Sequence, residues 1–164
     1  MAVCQCIPYS DPSDSQKAAS VSEITADMGT IWQDMVDTME DMPSVGLAAP
    51  QIREMLRLAV VDVSAARGQV IPMANPESLQ SSKNLCAFFE ASPNLQGQSA
   101  KIRRPATISV QFLNVDSIFE QSDSRSLWSN PSQHQVNHLN GKMFFDNLSK
   151  MRSNMFLQKA RTEK

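Results

Sequence analysis

Only two histidines occur in the chain, and they stand four residues apart in Gln133-His134-Gln135-Val136-Asn137-His138. On a helix, positions i and i+4 share a face, so both imidazoles can point at one ion. A hydrolytic centre of the His-Glu-x-x-His kind also needs a carboxylate directly after the first histidine. That carboxylate takes a proton from metal-bound water and later delivers it to the leaving group. Gln135 stands there instead, and an amide has no lone pair basic enough for that proton near neutral pH. Taken alone, two helical histidines with no Glu between them can equally pack or face solvent without any metal. Other reactive groups carry plainer readings. Cys4-x-Cys6 lies near a terminus, where a loose segment is the ordinary case. Cys86 could stand in for a missing thiolate, although a buried free cysteine is commoner. Glu90 could serve as a base, but a structural role, such as an ion pair with Arg104, is the simpler expectation. Lys101, Arg103 and Arg104 read as a solvated strand face.

The elements that would position these groups can be read from periodicity. Ile24, Met28, Ile31, Met35 and Met39 recur at helical spacing, and Ser20 with Glu23 fits a capping box, so a helix is predicted over residues 21–41, stopped by Pro43. Residues 56–63 form a continuous Val-rich apolar run, read as a buried strand. Arg67-Gly68 reads as a hairpin turn into a strand over 69–73, which Asn75-Pro76 would end. Residues 80–98 are polar and rich in Ser and Asn, with Phe88-Phe89 as the one strong anchor. Thr107 to Leu113 alternates, with Ile108, Val110 and Phe112 on one face, as a half-buried strand does. Asn130-Pro131 reads as cap and first position of the histidine helix, which would end at Asn140-Gly141. Ser149 would cap a last helix to about Ala160, with Met151 and Met155 inward.

Three segments, in order, resemble the motifs of peptide deformylases. Val45-Gly46-Leu47-Ala48-Ala49-Pro50-Gln51 is similar to the family's Gly-x-Gly-Leu-Ala-Ala-Pro-Gln, with Ser44 where the first Gly stands. Gln133 to Leu139 resembles Gln-His-Glu-x-Asp-His-Leu, with Gln135 for Glu and Asn137 for Asp. Glu90-Ala91-Ser92-Pro93-Asn94 occupies the slot of Glu-Gly-Cys-Leu-Ser, so Ser92 takes the place of the ligating Cys. Asn75-Pro76-Glu77 and Arg104-Pro105 also match common family positions, and the likeness spans residues 8–160.

The resemblance implies an α+β fold in which antiparallel sheets pack around a central helix carrying His134 and His138, flanked by N- and C-terminal helices. It implies one domain over residues 1–164, with poor order expected only at the start of residues 1–15. It implies a divalent metal (zinc, iron or nickel) held by His134, His138 and the residue at position 92, a base at position 135, and an oxyanion held by Gln51 and the N–H of residue 93. Peptide substrates would pair with Val45, Gly46 and Ala91, and a methionine side chain would sit near Leu127 and Trp128. The departures bear on each role. A Ser hydroxyl is a poor, neutral ligand beside a thiolate. Pro93 has no N–H. Ser92, Gln135 and Asn137 are all neutral where the family has acidic groups, so a weakly held or absent ion is expected. Ser129, Asn130 and Pro131 make the edge of the methionine pocket polar. By resemblance the chain is a hydrolase of N-formylmethionyl peptides. On physical grounds a non-catalytic protein that binds a peptide N-terminus or an extended partner strand is favoured.

At 164 residues the chain is long enough for one self-sufficient core. A net charge of -2 gives no footprint for nucleic acid or an anionic membrane. No apolar run approaches the roughly 20 residues a spanning helix needs. Three cysteines form no disulfide framework, so a reducing cytoplasm is expected.

Overall fold

The computed structural model describes residues 2–125 and 128–162. Helix α1 covers Ala26–Asp41 and buries Trp32, Met35, Thr38 and Met39 as one stripe. It starts later than the periodicity suggests, after Thr25 rather than at a Ser20 cap. The reason lies in Val21, whose N–H donates to Asn75 Oδ1 (3.0 Å) and whose carbonyl accepts from Asn75 Nδ2 (2.7 Å). With both backbone groups committed to a distant side chain, this stretch stays extended.

Among the described residues seven strands follow, all paired antiparallel. β1 (Gly46–Ala48), β2 (Leu58–Val61), β3 (Ile71–Ser81), β6 (Thr107–Leu113) and β7 (Phe119–Arg125) form a sheet in the order β1-β2-β3-β6-β7. β4 (Leu85–Ala91) and β5 (Ser99–Pro105) form a second, two-stranded sheet. Every residue of β2 is buried, as its apolar run implies. β6 has the bounds its alternation predicts, with Ile108, Val110 and Phe112 buried. Asn75-Pro76 does not end β3. Asn75 takes the left-handed φ of 49° and the register with β6 shifts between Ala74 and Glu77, so a bulge absorbs the two residues and pairing resumes. β4 and β7 carry too little apolar alternation to be read as strands, β5 contains the basic run read as a strand face, and the polar run assigned to 80–98 is in part the β4 hairpin arm.

Helix α2 (Ser129–Leu139) lies at the centre, against β1, β2, β3, β5 and β6. It begins after Trp128, so Asn130 sits in its first turn rather than at its cap. Its C-terminal end is tied to the large sheet by the buried Arg57, which donates to Leu139 O (3.2 Å), Asn140 Oδ1 (3.0 Å) and Pro76 O (3.2 Å). A cation there satisfies terminal carbonyls and complements the helix dipole. Beyond it Gly141 has φ of 68°, and a Cβ there would lie 2.5 Å from Ser15 O. Only glycine lets the N-terminal turn (Pro12–Ser15) close so tightly on this end of α2. Helix α3 (Lys150–Thr162) turns Phe156, Leu157 and Ala160 onto Phe144 and Phe145. Met151 and Met155 therefore face outward, at 70% and 63% exposure, against the inward orientation predicted for them.

Candidate functional site

α2 turns both histidines inward on consecutive turns, at 7% and 1% exposure. Their Nε2 atoms lie 3.1 Å apart. Two imidazoles bound to one tetrahedral ion at about 2.05 Å would place those atoms about 3.3 Å apart. The nitrogens therefore converge as metal ligands do. His134 Nδ1 donates to Glu90 Oε2 at 2.9 Å, which leaves its Nε2 lone pair facing the pocket. Arg104 grips the same carboxylate from Nε (2.6 Å) and Nη2 (2.9 Å), and Asn130 Nδ2 adds a bond of 2.6 Å. The ion pair with Arg104 is thus present, and Glu90 serves as an anchor. Strand alternation turns Arg104 inward, to 4% exposure, and leaves Lys101 and Arg103 solvated, so Arg104 is no part of a solvated face. Burial pushes the Glu90 carboxyl up, but hydrogen bonds from His134 and Arg104 outweigh it and hold it at about 2. Burial draws His134 down to about 4 against the pull of Glu90, so the ring is neutral at neutral pH.

Ser92 follows β4 directly, capping the short turn Pro93–Leu95 beside the pair, with its Oγ 3.4 Å from His138 Nε2. Gln51, set in a 3-10 turn after β1, accepts Ala48 N–H at Oε1 (2.8 Å). Its Nε2 donates to Asn94 Oδ1 (2.8 Å) and Ser92 Oγ (3.2 Å). Asn94 Nδ2 in turn donates to Asp14 Oδ1 at 3.2 Å. Asp14 is 2% exposed and lies 3.8 Å from His138 Nδ1. No sequence signal singles it out: it is one of two aspartates in a short turn segment, 124 positions from its histidine partner. The Asp11 cap of that turn is the nearest hint, because it fixes which way residue 14 faces.

Above the histidines runs a cavity of about 230 Å³, lined by Ser44, Val45, Gly46, Phe89, Ala91 and Gln135 among others. It lies between two strand edges. Asp62 N–H donates to Val45 O, so Val45 and Asp62 are a bonded pair and the polar groups of Gly46 point away from β2. Ala106 N–H donates to Asn84 O, and the same alternation turns the polar groups of Phe89 and Ala91 away from β5. Ser44 Oγ rests on the free edge, donating to Gly46 O at 2.8 Å. Gln135 is 3% exposed, and its Oε1 has no partner. A Cβ at Gly46 would stand 2.7 Å from Gln135 Nε2, so this glycine makes room for the amide.

The sequence-derived site residues His134, His138, Ser92, Gln51, Gln135, Gly46, Val45 and Ala91 thus gather at one place. Trp128 does not join them: it packs on the core of the large sheet and lines a different cavity, with Met73, Val110 and Phe112. Leu127 lies outside the described residues. Cys86 is exposed on β4, opposite Arg104, whereas Ser92 lies beside His138.

The profile of the polypeptide deformylase family matches residues 3–154. The peptide deformylase of Afipia carboxidovorans is 30% identical over 161 residues, 97% of this chain and 94% of that protein. That of Hydrogenovibrio crunogenus is 32% identical over 155 residues, covering 94% and 91%. Among solved structures, the peptide deformylase of Thermus thermophilus superposes with a TM-score of 0.90 at 30% identity, over 98% of this chain and 95% of that one. The Ehrlichia chaffeensis enzyme in complex with actinonin shares the fold at a TM-score of 0.92 and 24% identity, covering 100% and 99%. With its motifs in order, its helix of paired histidines and a match across nearly its whole length, this chain belongs to the polypeptide deformylase family.

Proposed function

We propose that this chain uses the deformylase groove to hold the N-terminal end of an extended peptide, and that it hydrolyses N-formylmethionyl peptides poorly or not at all. Gln135 carries the reading. Its Oε1 is buried, lines the groove and has no partner within the protein. An amide oxygen there can accept an N–H from a bound backbone, and it cannot take a proton from water. The outward polar groups of Gly46, Phe89 and Ala91 offer ladder partners on both sides of such a strand. A neighbour of the same fold was crystallised in complex with actinonin, which supports a ligand-binding role for this fold. Phe89 and Pro131 offer an apolar seat, and Asn130 makes its rim polar.

The catalytic side is weak in three places. Pro93 has no N–H to offer an oxyanion. Gln51 is already committed to Asn94 and Ser92. Loss of one oxyanion donor costs about 10²–10³ in rate. A divalent ion would be held by His134 and His138, with the neutral Ser92 hydroxyl as a poor third donor. When bound it would polarise a carbonyl oxygen and acidify water. Occupancy is expected to be low, in a reducing cytoplasm where Cys4, Cys6 and Cys86 stay free.

The test combines three measurements. Dialysis against a chelator followed by metal analysis should leave far less than one ion per chain. Calorimetry should show formyl-Met-Ala binding, weakened about tenfold in Gln135→Leu through loss of one buried hydrogen bond. Turnover of formyl-Met-Ala with added Zn²⁺, Fe²⁺ or Ni²⁺ should match that of a His134→Ala, His138→Ala control. Turnover clearly above that control would restore the deformylase assignment in full.

A further inference from the structure

Two of the three cysteines gather at one methionine. Cys6 Sγ lies 3.9 Å from Sδ of Met42, the residue that ends α1. Two sulfurs bound to one ion at about 2.3 Å stand about 3.8 Å apart at a tetrahedral angle and about 4.0 Å apart at a trigonal one. The spacing suits a shared ion. It also suits plain contact, so a third sulfur decides.

Cys4 supplies it. The segment read as loose from its place near a terminus is pinned: Cys4 N–H donates to Thr38 Oγ1 (2.8 Å) and Ile7 N–H to Gln51 O (2.9 Å). The carbonyl of the same Thr38 accepts from Met42 N–H (3.2 Å), so Cys4 and Met42 are both tied to one residue of α1. Cys4 and Cys6 pack on the core beneath α1, whereas Gln5 between them is exposed. In an extended stretch, positions i and i+2 share a face in this way. Cys4 Sγ makes only a 3.8 Å contact with Ala2 O, and a thiol donor is too weak to hold it there against a metal bond. Burial, together with the charges of Cys4 and Asp14, pushes the Cys6 thiol up to about 11. At neutral pH such a thiol is a poor nucleophile and a slow partner in disulfide exchange, and a cation in place of its proton relieves the crowding of charge.

The donor set selects the ion. Thiolate and thioether sulfurs together are soft ligands suited to Cu(I), whereas zinc sites are built from Cys, His and carboxylates without thioether. Met42 is half-buried and lines a cavity of about 280 Å³ with Pro43, Gln96 and Gly97, which gives the ion a way in. We infer that Cys4, Cys6 and Met42 form a three-sulfur site for Cu(I), apart from the two histidines and independent of what the groove does.

The test is a titration of reduced, metal-free, full-length protein with Cu(I) under nitrogen, with bicinchoninate as the coloured competitor. The protein should withdraw one Cu(I) per chain. X-ray absorption at the copper edge should show a shell of sulfur alone at about 2.3 Å, without imidazole scattering. The double variant His134→Ala, His138→Ala should leave both results unchanged, and so should Cys86→Ser. Cys6→Ser should lose the ion to the chelator. Met42→Leu, a swap of nearly equal volume, should weaken binding and cut the shell from three sulfurs to two. A protein that leaves all the copper with bicinchoninate overturns the assignment. So does a shell containing nitrogen, copper that is lost with the histidines or with Cys86, or a Met42→Leu protein that keeps the wild-type shell and affinity.

Discussion

Gln135 and Ser92 each stand where the family has an ionisable group of similar size, and the structure keeps Ser92 beside His138 and Gln135 in the lining of the cavity that His134 also lines. Reversal should therefore be structurally tolerated. Ser92→Cys with Gln135→Glu is expected to raise Zn²⁺ affinity by at least tenfold in a competition assay with a chromophoric chelator. Formyl-Met-Ala turnover should remain at least 10² below that of an intact family member, since Pro93 still lacks its donor. Most of these residues were legible because they sit in contiguous motifs, and the Glu90–Arg104 pair was expected because the family has a Glu at this position. Asp14 was not. A carboxylate reaches its partner here through the close packing of a turn on a helix end, and packing between segments 124 positions apart leaves no mark in local sequence.

Among the elements, the loop from Asp62 to Gln69 depends on one carboxylate. Asp62 accepts from Ser64 N (2.8 Å), Ser64 Oγ (2.6 Å), Gly68 N (2.7 Å) and Gln69 N (3.1 Å). Burial opposes its charge, but the bonds from Ser64, Gly68 and Gln69 prevail and hold the carboxyl below the usual range. A depressed folded pKa stabilises the fold above the unfolded value near 3.9, and that stability is lost as pH falls below it. Asp62→Asn should cost about 1.5–3 kcal/mol at neutral pH. In thermal unfolding, the gap between the two proteins should shrink once the pH drops under about 4. The same scale shows why the element reading was partial. β6 and the stripe of α1 each bury one face against a core, so their periodicity was visible. β4 and β5 form a sheet of only two strands with Leu85 and Phe89 in solvent, and such strands need no apolar alternation. The Asn75 bulge in β3 looked like a strand end because Asn-Pro more often closes a strand than bends it.

For the molecule as a whole, the decisive arrangement is that two separate sheets meet across α2 with unpaired edges lining one cavity. An extended peptide lying there would join them into one ladder. Hydrogen exchange with and without formyl-Met-Ala-Ser should show new protection at Gly46, Phe89 and Ala91. Leu47 and Glu90, already bonded within their sheets, should not change, and protection spread evenly over all five would argue against strand addition. The tight seat of the N-terminal turn on Gly141 has an effect reaching well beyond its own neighbourhood. A residue with no reactive atom decides whether Asp14 stays beside His138. Gly141→Ala combines a left-handed alanine with a clash against Ser15, costs about 1–3 kcal/mol, and should lift the turn away. The loss should appear as a lower thermal midpoint and as faster hydrogen exchange at Ala18, whose N–H donates to Leu139 O at 3.0 Å; an unchanged rate there would show that the turn stays seated.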